Sequence, residues 1–182
     1  MKQNERTATY IIKLGLILFL ITAVVAAMLG GVNAITKDKI AAINAQKVAD
    51  AIALVIDSSA QPEQIDDAAA PAEISAIYKM GADGYAVEVV VSGSQGSIDL
   101  MVGVAPDASV TGISIVSHSE TAGLGAVYAD STDKGVAFRD SFVGLSGEIT
   151  ASDVDYKSGA TVSANAICKG ASIASGYVAQ LG

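Results

Sequence analysis

The sequence predicts an α+β protein, in which a single N-terminal transmembrane helix is followed by a mostly antiparallel sheet domain with flanking helices. Three observations predict it. Residues 14–36 carry no charged side chain. Between Ile74 and Val116, four runs rich in Val and Ile are separated by short turns containing Gly, Ser or Pro, the pattern of antiparallel strands joined by hairpins. Residues 162–181 are mostly small and apolar and contain no proline, which suits a closing helix.

The first element is the uncharged segment. Its 23 residues, LGLILFLITAVVAAMLGGVNAIT, span roughly 35 Å as a helix at about 1.5 Å per residue. A bilayer's hydrocarbon core is about 30 Å thick, so the segment crosses it with modest tilt. It is apolar on every side, unlike the single apolar stripe of a helix packed on a soluble core. Val32-Asn33-Ala34 and the basic front also suit a cleaved signal peptide. The apolar stretch is longer than a usual signal core, which favours retention as an anchor. Lys2, Arg6 and Lys13 precede the segment and Lys37, Lys39 and Lys47 follow it, so positive charge alone leaves the orientation a near tie. Long domains translocate largely regardless of charge. The expected placement is a single-pass protein of the cell membrane, with its N-terminus cytoplasmic and its C-terminal domain extracytoplasmic.

Residues 37–56 place Ile40, Ile43, Val48, Ile52 and Val55 mostly at helical spacing. Thr36 is the expected N-cap, unless the helix continues directly from the membrane segment. Residues 57–71, with two prolines and several acids, read as a loop. Strands are expected over 74–80, 85–91, 98–104 and 110–116. Residues 133–142 look helical or irregular, 146–156 suggest one more short strand, and a helix is expected from Val162, just after Thr161, to Leu181. Gly170 and Gly176 weaken that helix. The resulting division is an N-terminal tip and anchor (1–36), a helical stem with an acidic loop (37–71) and a folded domain (72–182).

Charge narrows the function. Of 11 basic and 19 acidic residues, three basic and one acidic precede the anchor, leaving eight and eighteen, a net charge of −10, for the rest of the chain. Such a surface repels phosphate backbones, so nucleic-acid binding is not expected. One cysteine, Cys168, and one histidine, His118, permit no internal disulfide and no Cys or His metal cluster. No metal site is expected.

Two segments carry candidate chemistry. In Asp155-Tyr156-Lys157-Ser158-Gly159-Ala160-Thr161-Val162-Ser163, three hydroxyls crowd a predicted helix start. Gly159 and Ala160 permit close approach of a ligand to the backbone. Free N–H groups and the positive end of the helix dipole then suit a phosphate, and the Thr161 oxygen is placed to join a phosphoester. Taken alone, the string reads first as an ordinary N-cap in a small-residue loop, because Ser-Gly-Ala-Thr is short and common. The second segment, His118 to Gly125, ends in Gly123-Leu124-Gly125, a turn that presents N–H groups and one apolar side chain to an aromatic ring system, or is simply a turn.

Together the two segments resemble a known family. Glu120-Thr121-Ala122-Gly123-Leu124-Gly125 is similar to its Glu-Thr-Pro-Gly-Leu-Gly loop, with Ala122 where Pro is frequent. Asp155-x-x-Ser158-Gly159-Ala160-Thr161-Val162-Ser163 resembles its flavinylation motif. The family is the FMN-binding domain of membrane electron-transfer complexes, and by length and layout the nearest likeness is to the G subunits of Rnf complexes. The C subunit of the sodium-pumping NADH:quinone reductase is a longer relative.

The resemblance implies covalent FMN joined by a phosphoester to Thr161 and installed by a separate flavin transferase that uses FAD and magnesium. Ser158, Gly159, Ala160 and Ser163 would line the phosphate end, and Asp155 would belong to the transferase's recognition pattern. Glu120, Thr121, Leu124 and Gly125 would contact the isoalloxazine ring or its polar edge. The chain would relay electrons within a ferredoxin:NAD oxidoreductase coupled to sodium or proton transport, with no catalytic residues of its own. Its partners would be the membrane and neighbouring subunits that carry an iron–sulfur centre and a second flavin. A stand-alone anchored flavoprotein and a non-redox anchored module are the alternatives. His118 is read as structural or as a flavin neighbour, Lys157 as a phosphate partner or solvated, and Cys168 as a small core residue. Tyr85, Tyr128 and Tyr156 are candidates to stack on a ring, with packing expected for at least two of them.

Overall fold

A computed structural model describes the backbone of residues 2–181 and the side chains of residues 12–181. The side chains of Lys2 and Arg6 lie outside the described residues. The chain divides into two compact units, Met1–Gln46 and Lys47–Gly182.

The first unit belongs to α1 (Lys2–Val55). From Ile12 to Gln46 every described side chain except Thr36 is exposed, including Leu16, Phe19 and Ile35. α1 is the one helix among the described residues long and apolar enough to cross a membrane. Thr36 does not cap a second helix. It lies inside α1 and its hydroxyl donates to the Val32 carbonyl at 2.8 Å. A threonine bonded back to the preceding turn is compatible with helix interior, so stem and anchor form one helix.

The second unit starts with the end of α1. Five strands follow: β1 (Glu63–Ile65), β2 (Ile74–Lys79), β3 (Tyr85–Ser92), β4 (Ser97–Val104) and β5 (Val110–His118). They form one antiparallel meander in sequence order. The four strands expected between 74 and 116 are all present. β1 is an addition inside the region read as loop, where Glu63, Gln64 and Ile65 pair with Lys79, Tyr78 and Ile77. Only an existing edge such as β2 makes so short and polar a segment extended. Two helices complete the unit, α2 (Asp133–Asp140) and α3 (Thr161–Leu181). No strand forms over 146–156. The backbone N–H groups of Gly147 and Ile149 are instead taken by the hydroxyls of Ser175 and Ser172, at 2.9 and 2.8 Å. Thr150 and Asp153 then close a capping box around a short 3-10 turn at Ala151–Asp153.

Both sheet faces are covered. β4 alternates strictly, so Ile98, Leu100, Val102 and Val104 face α3 and pack with Val87, Val89, Val91, Ile167 and Ala171. Cys168 is buried in this core, and burial pushes its thiol up to about 11. On the opposite face, Ala51, Ile52, Val55 and Ile56 of the stem pack on Met80, Ala86 and Met101, with Val48 partly buried beside them. That helical spacing appears in the sequence, but the seat beneath it does not. Gly103 and Gly112 let the helix backbone approach the sheet: a Cβ on Gly112 would lie 3.0 Å from the Val55 Cα, and one on Gly103 would strike the Val55 carbonyl. The Thr111 hydroxyl donates to that carbonyl at 2.5 Å, satisfying an acceptor that the helix end leaves free.

Candidate functional site

α3 begins at Thr161, one residue earlier than the sequence suggests. The approach to it is built in three steps. Gly159 takes φ +87, a conformation L residues avoid. The Ala160 N–H then donates to the Lys157 carbonyl at 3.1 Å, and the Ala160 carbonyl accepts the first helical bond, from Ala164 N at 3.0 Å. The N–H groups of Thr161, Val162 and Ser163 consequently have no partner among the described residues. The helix dipole adds partial positive charge where these donors emerge.

The buried ring of Tyr128 supports this loop from beneath. Its hydroxyl accepts the Lys157 N–H at 3.1 Å and donates to the Ala160 carbonyl at 3.3 Å. Tyr128 stacks on Phe138, with ring centroids 3.9 Å apart, and Phe138 meets Phe142 edge-on at 5.1 Å. All three rings are fully buried, so the loop rests on a rigid aromatic wall. Tyr128 is packing, as read from the sequence. Tyr156 is 41% exposed.

The glycine-rich loop reaches the same place. Leu124 is exposed, Gly125 is buried and opens a 3-10 turn, and Gly123 takes φ +76. Lys157 joins the two loops, its ammonium donating to the Gly123 carbonyl at 2.5 Å. Between the loops lies a cleft of about 270 Å³, lined by Ser94, Gln95, Glu120, Thr121, Leu124, Gly125, Gly159, Ala160, Thr161, Val162 and Ser163. Eight of the nine residues singled out as cofactor-binding line this one cleft: Thr161, Gly159, Ala160, Ser163, Glu120, Thr121, Leu124 and Gly125. Ser158 is exposed and not part of its lining. Asp155 lines a neighbouring cavity of about 330 Å³ with Tyr156 and Lys157.

Glu120 forms the buried floor. One carboxylate oxygen accepts the N–H groups of Ser94 and Gln95, at 2.8 and 3.1 Å. The other accepts the Ser163 hydroxyl in a short hydrogen bond. Burial acts to raise the Glu120 carboxyl, but the Ser163 hydroxyl, the two turn N–H groups and nearby His118 outweigh it and hold the carboxyl below its ordinary range. The ring nitrogen Nδ1 of His118 accepts the Glu120 N–H at 3.2 Å. His118 therefore orders the loop, and the Ser163 hydroxyl is directed to the floor.

Ser94 and Gln95 are the part of the site that sequence reasoning did not find. They belong to the β3–β4 turn, closed by Gly93 N to Gly96 O at 2.7 Å, and they are brought to Thr161 by Glu120. A polar hairpin turn 66 residues before Thr161 carries no local signal of this role. Among the described residues no cluster of His, Cys, Asp or Glu is arranged to hold a metal.

Known families match both the N-terminal helix and the folded part of the chain. Residues 1–55 match the RnfG N-terminal region, and residues 93–175 match the FMN-binding domain. The G subunit of the ion-translocating oxidoreductase complex of Methanosarcina acetivorans is 31% identical over 175 residues, which cover 87% of this chain and 89% of that protein. The chain belongs to the RnfG family. Two other relatives match over shorter spans. The G subunit of the Na(+)-translocating ferredoxin:NAD(+) oxidoreductase complex of Acetobacterium woodii is 33% identical over 64% of each chain. The G subunit of the proton-translocating ferredoxin:NAD(+) oxidoreductase complex of Clostridium ljungdahlii is 34% identical over 47% of this chain and 48% of its own. Every residue that lines the cleft lies within the segment that matches the FMN-binding domain. The family thus accounts for an FMN cofactor and a role in electron transfer.

The residues present fit that cofactor. Gly159 leaves its outer side open, since a Cβ there would meet only Leu124 Cδ2, at 3.9 Å. Three unpaired N–H groups at a helix start suit a phosphate, and exposed Leu124 offers an apolar surface to an aromatic ring.

Proposed function

We propose that this chain carries FMN covalently on Thr161 and relays electrons as a membrane-anchored subunit of an Rnf-type ferredoxin:NAD oxidoreductase coupled to sodium or proton transport. The observation that carries the reading is the position of Thr161. Its exposed side chain stands at the first turn of α3, beside three free N–H groups, and opens into a cleft whose far wall is the Thr121–Gly125 loop.

In this reading a flavin transferase installs the group. The anhydride of FAD breaks, Thr161 Oγ1 takes the FMN phosphoryl group and loses its proton, and AMP departs. The N–H groups of Thr161, Val162 and Ser163 would hold the phosphate oxygens, and Gly159 would let them approach the backbone. Leu124 would offer the ring an apolar surface. Asp155, Ser158 and Lys157 lie on the outer side of the loop, where a transferase reaches them. Bound flavin supplies one-electron chemistry. The relay needs no acid–base residue of its own.

The exposed apolar length of α1 supports a single membrane crossing, with the N-terminus cytoplasmic and the C-terminal domain extracytoplasmic. Anchoring keeps the flavin at high effective concentration near membrane partners. These partners carry an iron–sulfur centre and a second flavin, and the relatives' names include both a sodium- and a proton-translocating complex.

Intact-protein mass spectrometry tests the reading, on chain purified from its native membrane beside a Thr161→Ala variant. The expected result is a mass gain of one FMN less water, absent in the variant. An unmodified native mass, with the transferase present, overturns it.

A further inference from the structure

The floor of the cleft holds a carboxylate without a salt-bridge partner among the described residues. All three donors to the Glu120 carboxylate are neutral: two backbone N–H groups and the Ser163 hydroxyl. Among the described residues Glu120 has no ion-pair partner; the ion pair present joins Lys169 to Glu73, at 3.2 Å. Lys157, the cation that joins the two loops, donates to the Gly123 carbonyl. The Nδ1 of His118 accepts a backbone N–H rather than offering a proton to the carboxylate. The packing around the carboxylate is also closed. A Cβ on Gly125 would strike both Glu120 Oε2 and Ser163 Oγ, and one on Gly93 would strike Glu120 Oε1. Both glycines are thus required for the backbone to close on the carboxylate from two sides.

We propose that Glu120 is a positioning residue for electron affinity: a fixed, unpaired carboxylate in the cleft floor that makes the flavin on Thr161 harder to reduce. The proposal rests on Thr161 carrying the flavin. Adding one electron to the ring adds negative charge within the cleft that Glu120 lines. Fixed charges act strongly where water is excluded and little reorganisation is available. The three neutral donors keep the carboxylate ionised without cancelling it, since hydrogen bonds to the charged form favour that form. A salt bridge in the same place would give a similar fold and a different potential.

The test is a dithionite titration, with mediators, of the purified full chain whose flavin load has been measured by intact mass. Glu120→Gln keeps size and an acceptor for the Ser94 and Gln95 N–H groups but removes the charge. The expected result is an upward shift of about tenfold in the one-electron reduction equilibrium, or about 59 mV. Ser163→Ala removes one hydrogen bond and leaves the charge, and its potential is not raised. A purely structural role would move both variants alike. Should Glu120→Gln not retain flavin, the Glu120→Gln/Ser163→Ala double variant, which frees the new amide from the Ser163 hydroxyl, is titrated instead. A flavin-loaded variant with the wild-type potential overturns the proposal. So does loss of flavin in both variants, which would make Glu120 a brace of the cleft alone. A wild-type chain without flavin is a different failure: it refutes the Thr161 reading itself.

Discussion

Gly125→Ala isolates the close packing at the centre of the cleft. Gly125 has no positive φ, so alanine is conformationally acceptable there. The cost is steric: the new Cβ would strike Glu120 Oε2 and Ser163 Oγ and lie 3.0 Å from Glu120 Cβ. Overpacking of this kind costs about 1–3 kcal/mol. Parting Ser163 from the buried Glu120 carboxylate adds roughly 1.5–3 kcal/mol if the bond is lost outright. Partial relief of each by the other puts the sum at about 2–4 kcal/mol. A domain of this size shifts its Tm by about 4 °C per kcal/mol, so a fall of roughly 8–16 °C is expected. Gly123→Ala is the comparison. Its φ is +76, but its Cβ would meet nothing within 4 Å, so only the left-handed backbone penalty of about 1–2 kcal/mol applies. Differential scanning calorimetry of both purified variants, with flavin fluorescence in denaturing gels, reads stability and loading together. A Gly125→Ala protein as stable as Gly123→Ala, with normal flavin, would refute the packing argument.

Two further outcomes follow from the same structure. Tyr128→Phe keeps the stack on Phe138 but leaves the Lys157 N–H and the Ala160 carbonyl without their partner; a loss of about 1–3 kcal/mol is expected, read as a lower Tm and faster amide exchange at Lys157, and unchanged exchange contradicts the proposed support. Asp99 is half-buried on β4 with one carboxylate oxygen lacking any partner, and burial, then Glu88, raises its carboxyl to about 6. A raised carboxyl contributes stability that is fully present below its unfolded value and is lost as pH rises through about 6. Asp99→Asn is therefore expected to raise the urea midpoint at about pH 7.5 and to leave it nearly unchanged at about pH 4; an equal effect at both pH values sinks the assignment.

Much of this molecule was legible in one dimension because its signals are local. An uncharged run from Leu14 to Thr36 forms a helix with apolar side chains on all sides wherever it is placed. Runs rich in Val and Ile, with glycine in the β2–β3 and β3–β4 turns and Pro-Asp in the β4–β5 turn, specify the three hairpins. The two loop motifs are short strings, and their placement around one cleft follows from a strand end and a helix start facing each other. The misreadings have a shared cause, which is that the decisive partner was distant in sequence. β1 is a strand because β2 offers it an edge. Residues 146–156 are not a strand because Ser172 and Ser175, on α3, take two of their N–H groups. Thr36 is not a cap because the helix before it does not end.

By itself, the sequence determined the class of fold, the long apolar N-terminal helix, the acidic composition and the threonine at the start of the last helix, since each depends on composition or on spacing within one element. Only the tertiary structure decided what closes the cleft and what lies beneath it. Ser94 and Gln95 enter the site because one carboxylate, 25 residues beyond Gln95 and 43 before Ser163, accepts hydrogen bonds from both sides of the cleft. Whether that carboxylate meets a cation or only neutral donors depends on three-dimensional neighbours, so its charge and its influence on the cleft are properties of the fold.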